Sequence, residues 1–544
     1  MGTVFFKYYD TLKYVKLSQL FNRVIRNFRK INIDFPKVKA NNKIILENWI
    51  ASNLSHESFF EDGSVCFLNK QGNAYDWHCK DKEKLWLYNL HYFDDLSSGD
   101  FQTKRTQHFQ WVNDWIENNP PMMGDGWEPY PLSLRIVNWV KWSFNSGGAL
   151  PEKVEKSLAL QAHVLSQTIE YHLLGNHIVA NAKALIFAGV YFEGKQAELW
   201  LETGRAILSK ELREQVLRDG GNFELSPMYH AIMLHDVLDL INTSRASSNF
   251  ILSGQVDSWL LIANKMLKWL EVMTHKDDEV SFFNDSAMGI APSLSLLSGY
   301  AERLGVKYTA IAGPVTHLAD SGYIRVSLGA YNCLIDVAKI GPDYLPGHGH
   351  ADVLSFELSL GKQRVIVNSG TSVYGVSEER LRQRKTKAHS TVEVNDADSS
   401  EVWSGFRVAK RAYPSTPAIT DINGGHKVSC SHDGYNRLGG GATHSRAWEF
   451  LPYEVSVVDS VNGNTEKAVA YYHLHPDIVV KQINEQYCQL ILPDESFLNM
   501  KFSDGTCKLL NSTWHPKFGV SIKNKCLAVH FKSHHLKMTI TGIN

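Results

Sequence analysis

The stretch DVLSFELSLG, residues 352–361, decides the fold because its apolar and polar side chains alternate. Every second residue is apolar, as in a half-buried β-strand: Leu354, Phe356, Leu358 and Leu360. Short segments of the same kind, separated by Gly, Asn and Asp turns, continue through the second half of the chain: GYIRVSL, NCLIDVAK, RVIVNSG, STVEVND and YEVSVVDS. We therefore predict an antiparallel β-sandwich over residues 311–544.

Before about residue 310 the apolar residues recur with the period of a helix instead. In PLSLRIVNWVKW they fall on one helical face, and NHIVANAKALIFAGVYF is apolar almost all round, like a helix buried among others. Ser226 and Pro227 suit the cap and the first position of a further helix. Helices followed by strands indicate an α+β chain of separate domains. We predict a helical or irregular extension at 1–83 and an all-α domain at 84–310.

The composition is that of a globular chain with more than one domain: 544 residues, 44% of them hydrophobic, and a formal net charge of −1. A dedicated nucleic-acid-binding protein normally carries a basic stripe, so we expect no nucleic acid partner. An acidic substrate is not excluded, because a cleft can be basic in a chain that is neutral overall. The seven cysteines form no CxxC pair, and we expect free thiols.

The first thirty residues are basic and weakly amphipathic. They lack the apolar run and small-residue cleavage site of a signal peptide, and no apolar stretch is long enough for a transmembrane helix. We expect a terminal helix packed on the body; contact with a membrane surface or a partner is the alternative. The expected location is cytoplasmic or at the cell envelope, the periplasm included, and the sequence predicts no oligomeric state.

Aromatic and charged side chains are concentrated in GDGWEPYPLSLR. Trp127 and Tyr130 offer flat faces on which sugars can stack, and the Arg135 guanidinium can pair with a carboxylate. The alternative is that all three belong to a helical core.

Two further motifs place polar side chains at helix starts. In GNHIVAN, Asn176 and His177 stand in the first turn or cap of the apolar helix, where an asparagine often does no more than cap. In NFELSPMYH, Tyr229 stands in the first turn of its helix, where a lone tyrosine is normally a structural hydrogen-bonding group. Neither motif alone predicts chemistry.

Two histidines precede the alternating strand. His348 and His350 lie two residues apart in PGHGHADVLSFEL, so both side chains can point to the same side. Such a pair invites a metal ion but needs further ligands, for which Asn368 and His389 are candidates.

Six motifs, in this order, resemble the heparinase II/III-like polysaccharide lyases, whose members include heparan sulfate lyases and some alginate lyases: WEPYPLSLRIVNW, GNHIVANAKAL, GGNFELSPMYH, PGHGHADVLSFEL, NSGTSVYG and KAHSTVEVN. The resemblance implies an N-terminal (α/α) toroid and a C-terminal antiparallel β-sandwich. It also implies cleavage of a polysaccharide that contains uronic acid by β-elimination, and it is much less specific about which polysaccharide.

The resemblance assigns roles to the catalytic candidates. Asn176 would neutralise the substrate carboxylate, and His177 would assist or act as a base. Tyr229 would be the general acid, in some relatives also the base, and His348 the opposing base or a helper on the carboxylate side. The division between Tyr229 and His348 depends on the stereochemistry of the uronate, so the sequence leaves it open.

The resemblance also implies a structural metal ion, usually zinc, with His350 and His389 as ligands. Asn368 stands where relatives have an aspartate, and a neutral amide in place of a charged oxygen weakens a divalent site. The sequence leaves the metal open; without it, the two histidines would hydrogen-bond across the same gap.

Substrate contacts are predicted for Trp127, Tyr130, Arg135 and Glu224. A basic run is a weaker suggestion of the same kind: Arg382, Arg384, Lys385 and Lys387.

Two other functions stay open. A carbohydrate-binding or surface-polysaccharide assembly protein can use a lyase fold without turnover, and a glycoside hydrolase can use a toroid. A hydrolase needs two carboxylates across the cleft, for which Glu128 with Glu224 or Asp236 are the candidates.

Overall fold

A computed structural model describes residues 2–247, 249–308 and 310–542. In chain order the helices of these residues are α1 (Gly2–Leu12), α2 (Leu17–Ile25), α3 (Lys84–Tyr92), α4 (Arg105–Asn118), α5 (Pro129–Asn145), α6 (Glu152–Gln167), α7 (Gly175–Tyr191), α8 (Lys195–Gln215), α9 (Pro227–Ala246), α10 (Phe250–Ser253), α11 (Val256–Val272), α12 (Leu294–Arg303) and α13 (Glu378–Arg384).

The strands are β1 (Lys39–Ala40), β2 (Ser64–Phe67), β3 (Lys70–Asn73), β4 (Phe192–Glu193), β5 (Val315–Leu318), β6 (Tyr323–Leu328), β7 (Tyr331–Asp336), β8 (Phe356–Leu360), β9 (Gln363–Val367), β10 (Val392–Val394), β11 (Val402–Trp403), β12 (Arg407–Val408), β13 (Ala418–Ile422), β14 (Gly425–His432), β15 (Thr443–Leu451), β16 (Glu454–Asn462), β17 (Ala468–Leu474), β18 (Val479–Asn484), β19 (Tyr487–Ile491), β20 (Phe497–Ser503), β21 (Gly505–Trp514), β22 (Ile522–Phe531) and β23 (His535–Gly542).

The helices α3 to α12 form the helical half of the molecule. α7 packs against α5, α6, α8 and α9, which explains why its sequence is apolar almost all round. α9 begins as predicted: the Ser226 hydroxyl accepts a hydrogen bond from the Tyr229 backbone N–H at 3.2 Å, and Pro227 takes the first helical position. The arrangement agrees with the predicted toroid of helices.

The strands after residue 310 form the sheet half. One sheet has the order β21-β22-β17-β9-β8-β7-β6-β5, with β10 also paired to β17, and the other has the order β13-β14-β15-β16-β23-β20-β19-β18. Every strand pairing in both sheets is antiparallel. Side chains from both sheets share one core, as where the Phe356 ring meets the Trp448 ring at 6.4 Å. The predicted helical domain followed by an antiparallel sandwich is confirmed.

The strand β8 differs from its prediction because both of its faces are buried. The carboxylate of Glu357 is fully buried, lies 2.8 Å from Nε2 of His275 and accepts the backbone N–H of Phe282 at 3.3 Å. His275 and Phe282 belong to the helical half, so the polar face of β8 meets the other half of the molecule rather than water.

The last helix of the helical half ends at Arg303, and the first strand of the sheet half begins at Val315. The chain before residue 84 carries α1, α2 and the short strands β1 to β3, of which β1 pairs with β4 of the helical half. The domain bounds stay predictions. All seven cysteines are free, as expected. In the described part of the chain, no helix combines the length and the apolarity needed to cross a bilayer.

Candidate active site

A cavity of about 860 Å³ lies between the helical half and the sheet half. Its walls come from α5, α7 and α9, from the loop before β8 and from the N-terminal segment. Six of the predicted site residues line it: Tyr130, Asn176, His177, Glu224, Tyr229 and His348.

Tyr229 and His348 meet inside this cavity although 119 positions separate them in the chain. Tyr229 is in the first turn of α9 and His348 is in the loop before β8; their ring centroids are 4.0 Å apart. The Tyr229 hydroxyl also lies 3.0 Å from the hydroxyl of Tyr374, which the sequence analysis did not single out. Burial raises the pKa of Tyr229 well above its ordinary value, and Tyr374 adds to the effect. Tyr229 is therefore a neutral phenol, able to donate a proton.

The His348 ring is fixed between two carboxylates. Its Nδ1 is 2.9 Å from Oδ2 of Asp285, and its Nε2 is 3.5 Å from Oε2 of Glu224. Burial alone would raise the pKa of Asp285. The Arg380 guanidinium, which donates to both carboxylate oxygens, and the hydrogen bonds with His348 and His350 hold that pKa well below its ordinary value. An ionised Asp285 fixes the Nδ1–H tautomer and turns Nε2 toward the cavity.

Asp285 was missed in the sequence analysis. Its only signal is an acidic residue in the short segment FFNDSAMG, between two phenylalanines and an Ala-Met pair. The residue is fully buried and belongs to the helical half, between α11 and α12.

Asn176 is in the first turn of α7, but its side chain is not the helix cap. The cap position is Leu174, which makes no side-chain capping bond. The Asn176 backbone N–H donates to Oε1 of Glu224 at 3.2 Å, and Nδ2 is 3.5 Å from the Tyr130 hydroxyl. Its amide is thus available to a molecule in the cavity.

Gly175 and Glu224 shape this end of the cavity. Gly175 has φ +59°, and a Cβ on it would lie 2.9 Å from Oε1 of Glu224, so the close approach requires glycine. Burial raises the pKa of Glu224, although His348 opposes the shift. A carboxyl that takes up a proton readily therefore lies between Asn176 and His348.

His177 is paired with a carboxylate that favours its protonated form. Its Nδ1 is 3.1 Å from Oε2 of Glu170, and its ring is 4.5 Å from the Tyr130 ring. Burial would lower the pKa of His177, but the Glu170 carboxylate outweighs burial and raises it. A protonated imidazole suits the stabilisation of an anion better than the acceptance of a proton.

Trp127 and Arg135, which were predicted to contact substrate, do not line the cavity; both side chains lie in the core. Trp127 is 5% exposed and donates its indole N–H to the Asn119 carbonyl at 3.0 Å. Arg135 is fully buried, stacks on Trp115 at 3.8 Å and donates to three acceptors: Gln161 Oε1, His91 O and Gly126 O. The Arg135 guanidinium therefore donates its hydrogen bonds to buried acceptors of the core rather than to a ligand.

The basic run does not line the cavity either. Arg382 pairs with Glu379 at 2.7 Å, and Arg384 is buried and donates to the Gly349 carbonyl. Lys387 lies 3.3 Å from Glu393. These three contacts lie outside the cavity wall, so the structure gives no support to a substrate contact of the basic run.

Behind the cavity, ligand atoms of His350, Asp352 and His389 lie within 4.8 Å of one another. Nδ1 of His350 is 3.3 Å from Nε2 of His389. Burial lowers the pKa of His350 to about 4 and that of His389 to about 3, so both imidazoles are neutral, as metal ligands must be. The donor set of two imidazoles and a carboxylate fits a divalent ion.

Asp352 supplies the carboxylate of this cluster, a ligand that the sequence analysis did not name; the predicted ligand Asn368 makes other contacts. The Asn368 side chain already accepts a hydrogen bond from the Ser390 backbone N–H at 3.1 Å and donates to the Ser355 hydroxyl at 3.3 Å. The spacing HxHxD in PGHGHAD was the available signal, since alternate residues can share a side.

Two family models cover nearly the whole chain. "Heparinase II/III N-terminus" matches residues 4–302, and "Heparinase II/III-like, C-terminal" matches residues 310–540.

Curated relatives include heparin-sulfate lyases of Bacteroides stercoris and Pedobacter heparinus. The first is 25% identical over 406 residues, which are 64% of this chain and 60% of the relative. The second is 26% identical over 358 residues, 59% of this chain and 53% of the relative. The chain thus spans less than two thirds of the length of these relatives.

Solved structures show the same fold. The crystal structure of heparinase III has a TM-score of 0.70 at 19% identity and covers 97% of this chain and 90% of that one. Heparan sulfate lyase HepC from Pedobacter heparinus has a TM-score of 0.58 at 17% identity, covering 97% of this chain and 88% of that one.

Proposed function

This chain belongs to the heparinase II/III-like family, and on that basis we propose that it cleaves an acidic polysaccharide by β-elimination. The observation that carries the proposal is the contact between Tyr229 and His348 at 4.0 Å in a cavity that Asn176 also lines. Elimination needs a group that removes the proton at C5 of a uronate, a group that protonates the leaving oxygen at C4, and a donor that stabilises the enolate.

The proton transfers are proposed for Tyr229 and His348. Tyr229 is a neutral phenol by its raised pKa and suits the general acid that protonates the leaving oxygen. His348 presents Nε2 to the cavity, with Asp285 behind Nδ1, and suits the base. The division holds for one configuration of the uronate at C5; a uronate of the other configuration would give both steps to Tyr229.

Charge stabilisation at the uronate carboxylate is proposed for Asn176 and His177, with Glu224 beside them. The Asn176 amide donates without a charge of its own, and the pairing with Glu170 favours the protonated form of His177, which would add a positive charge. Because burial raises the pKa of Glu224, a substrate carboxylate beside it would favour its protonated form, which donates a hydrogen bond. Such preorganised donors are worth about 3 kcal/mol each where water is excluded.

We propose a substrate of low charge density, such as a uronate polymer without dense sulfation. Among the described residues that line the cavity, acidic side chains outnumber lysines and arginines. Two of the four cations, Lys141 and Lys183, already pair with Asp239 at 3.1 and 2.7 Å. A densely sulfated chain would therefore meet more repulsion than attraction.

We also propose that His350, Asp352 and His389 hold a structural divalent ion, zinc being the best match to the donor set. Bound there, the ion would fix the loop that carries His348, two residues away in sequence. No proton transfer depends on it.

The hydrolase alternative has little support from the geometry. Glu128 does not line the cavity; it pairs with Lys84 at 2.7 Å and accepts from the Tyr88 hydroxyl. Asp236 lines the cavity but pairs with Lys183 at 2.7 Å. Neither carboxylate stands free opposite Glu224. A binding protein without turnover stays the second candidate.

The test is incubation with a panel of uronate polysaccharides of increasing sulfation. Elimination gives an unsaturated product whose C4–C5 double bond absorbs in the ultraviolet, and we expect that signal to be strongest with unsulfated polymers. New reducing ends without the absorbance would mean hydrolysis. Binding without either signal would mean a carbohydrate-binding protein.

A further inference from the structure

The helix α2 is amphipathic, but its apolar side faces outward. Its solvent-facing side and the turn after it carry an apolar stripe with exposed fractions from 39% to 83%, the outward stripe: Leu17, Leu20, Phe21, Val24, Ile25 and Phe28. The side that faces the body carries Gln19, which is 8% exposed. A helix that packs on a globular core buries its apolar side, so this orientation calls for a partner outside the chain.

The orientation is fixed by polar contacts on both halves of the molecule. Lys16 pairs with Glu214 of α8 at 2.5 Å, and Arg26 contacts His172. Arg29 donates to the Gln167 carbonyl at 2.6 Å. On the other side, the Arg411 guanidinium of the sheet half stacks on the Tyr14 ring at 3.7 Å. These contacts hold α2 with the outward stripe away from the body of the protein.

The same segment concentrates the positive charge of the chain. Residues 1–40 hold nine lysines and arginines against two aspartates, whereas the whole chain has a net charge of −1. Arg23, Arg29 and Lys30 are exposed close to the stripe. Apolar side chains flanked by cations match an anionic lipid surface, which takes up both. We propose that the outward stripe docks the protein on an anionic membrane surface.

The charge argues against other occupants. A second copy placed on the same stripe would bring Arg23, Arg29 and Lys30 against the same cations of its partner. A free acidic polysaccharide would use the cations but leave large apolar side chains in water. An anionic bilayer satisfies both features at once.

Docking would place the cleft close to the membrane. Arg23 on α2 and Thr11, Leu12 and Val15 before it line the cavity. A chain docked through the outward stripe would therefore work on polysaccharide at or near a lipid surface. The inference does not depend on the proposed lyase activity, and its test reads lipid binding alone.

The test is flotation of the full chain with vesicles of phosphatidylcholine alone or mixed with phosphatidylglycerol. We expect flotation only with the mixed vesicles, weakened by added salt. Leu17→Ser/Phe21→Ser should weaken vesicle binding roughly tenfold or more, and Arg23→Gln/Lys30→Gln roughly tenfold. The matched control is Leu261→Ser/Val479→Ser, two residues 69% and 61% exposed elsewhere, which should float like the parent protein.

Several results would overturn the proposal. The parent protein failing to float, or floating equally with neutral vesicles, would reject an anionic lipid surface. Equal flotation of the Leu17→Ser/Phe21→Ser variant would reject the stripe. A dimer by light scattering that becomes monomeric in that variant would show that a second copy covers it. Circular dichroism of each variant checks that the fold is kept.

Discussion

Tyr229 and Tyr374 share one hydrogen bond at 3.0 Å and so offer a matched pair of substitutions. Tyr229 also stacks on His348 at 4.0 Å, whereas the Tyr374 ring is 6.0 Å from it. We expect Tyr229→Phe to lower turnover by about 10²–10⁴-fold, because the general acid is lost. The measurement is the rate at which the unsaturated product forms.

Tyr374→Phe is the control for loss of the shared hydrogen bond. It should cost less than tenfold, since only the orientation of Tyr229 is affected. Equal losses in the two variants would mean that Tyr229 acts through its hydrogen bond rather than by donating a proton. Thermal melts of both variants check that folding is intact.

The metal cluster yields a second contrast between single residues. Asp352→Ala should lower the bound zinc measured by elemental analysis after dialysis, because the carboxylate ligand is lost. Asn368→Ala should leave the amount of bound zinc unchanged, because the Asn368 amide hydrogen-bonds to Ser390 and Ser355. The opposite order would restore Asn368 as the ligand, and a parent protein without metal would remove the site.

Single site residues could be named from the sequence only where a motif marked them. Asn176, Tyr229 and His348 came from ordered motifs, and the structure brings all three into one cavity. Asp285 could not be found, because a buried acid shows its role only through partners from distant segments, here Arg380 and His348. Arg135 shows the converse, since a guanidinium in an aromatic motif looks the same whether it binds substrate or satisfies core carbonyls.

At the scale of elements, α5, α7 and α9 are joined beneath the cavity by a buried charge cluster. Lys183 of α7 pairs with both Asp236 and Asp239 of α9 at 2.7 Å, and Lys141 of α5 pairs with Asp239 at 3.1 Å. Burial would raise the pKa of Asp239, but Lys141 and Lys183 hold it below its ordinary value. The carboxylates are stable there only while the lysines neutralise them.

Lys183→Met should therefore destabilise the fold by about 3–5 kcal/mol at neutral pH. In the parent protein the pKa of Asp239 is lower in the folded state than in the unfolded state, so this carboxylate stabilises the fold when the pH is above its ordinary pKa. The stabilisation is lost as the pH falls through the pKa of the folded state. In the variant the carboxylates lose that partner, so the folded state binds protons more readily than the unfolded one. Lowering the pH from about 8 to about 5 should then recover part of the lost stability.

Chemical denaturation at several pH values measures this effect. Lys156→Met on α6 is the control, because its pair with Glu152 is exposed to solvent and contributes little to stability. If the free energy of unfolding changed with pH in the same way for Lys183→Met and for the parent protein, Lys183 would not be what keeps Asp236 and Asp239 ionised.

The spacing of apolar residues in the sequence predicted where helices and strands lie better than it predicted what packs against them. The apolar residues of α7 and the cap of α9 are local signals, and both helices begin where expected. β8 was predicted as a half-buried strand, yet Glu357 is fully buried. Alternation shows which residues share a face but not whether a second domain covers the polar one.

At the scale of the whole molecule, the candidate active site exists only while the two halves stay together. Tyr229 comes from the helical half and His348 from the sheet half, and their rings are in contact. Asp285 of the helical half also pairs with Arg380 of the sheet half. The halves are also tied at a distance from the site. Arg364 of β9 donates to both carboxylate oxygens of Asp277, at 2.7 and 3.1 Å.

Arg364 is 2% exposed, and it also donates to the backbone carbonyls of Glu279 and Val280 in the helical half. Arg364→Met leaves these acceptors unpaired, which should cost about 1–3 kcal/mol at the join between the halves. We expect calorimetry to show one transition for the parent protein and two for the variant, as the halves unfold separately. Lys427→Met removes a salt bridge at 2.8 Å to Glu449, which joins β14 and β15 of one sheet. This variant should keep one transition. Two transitions already in the parent protein would mean that the halves are not coupled through this contact.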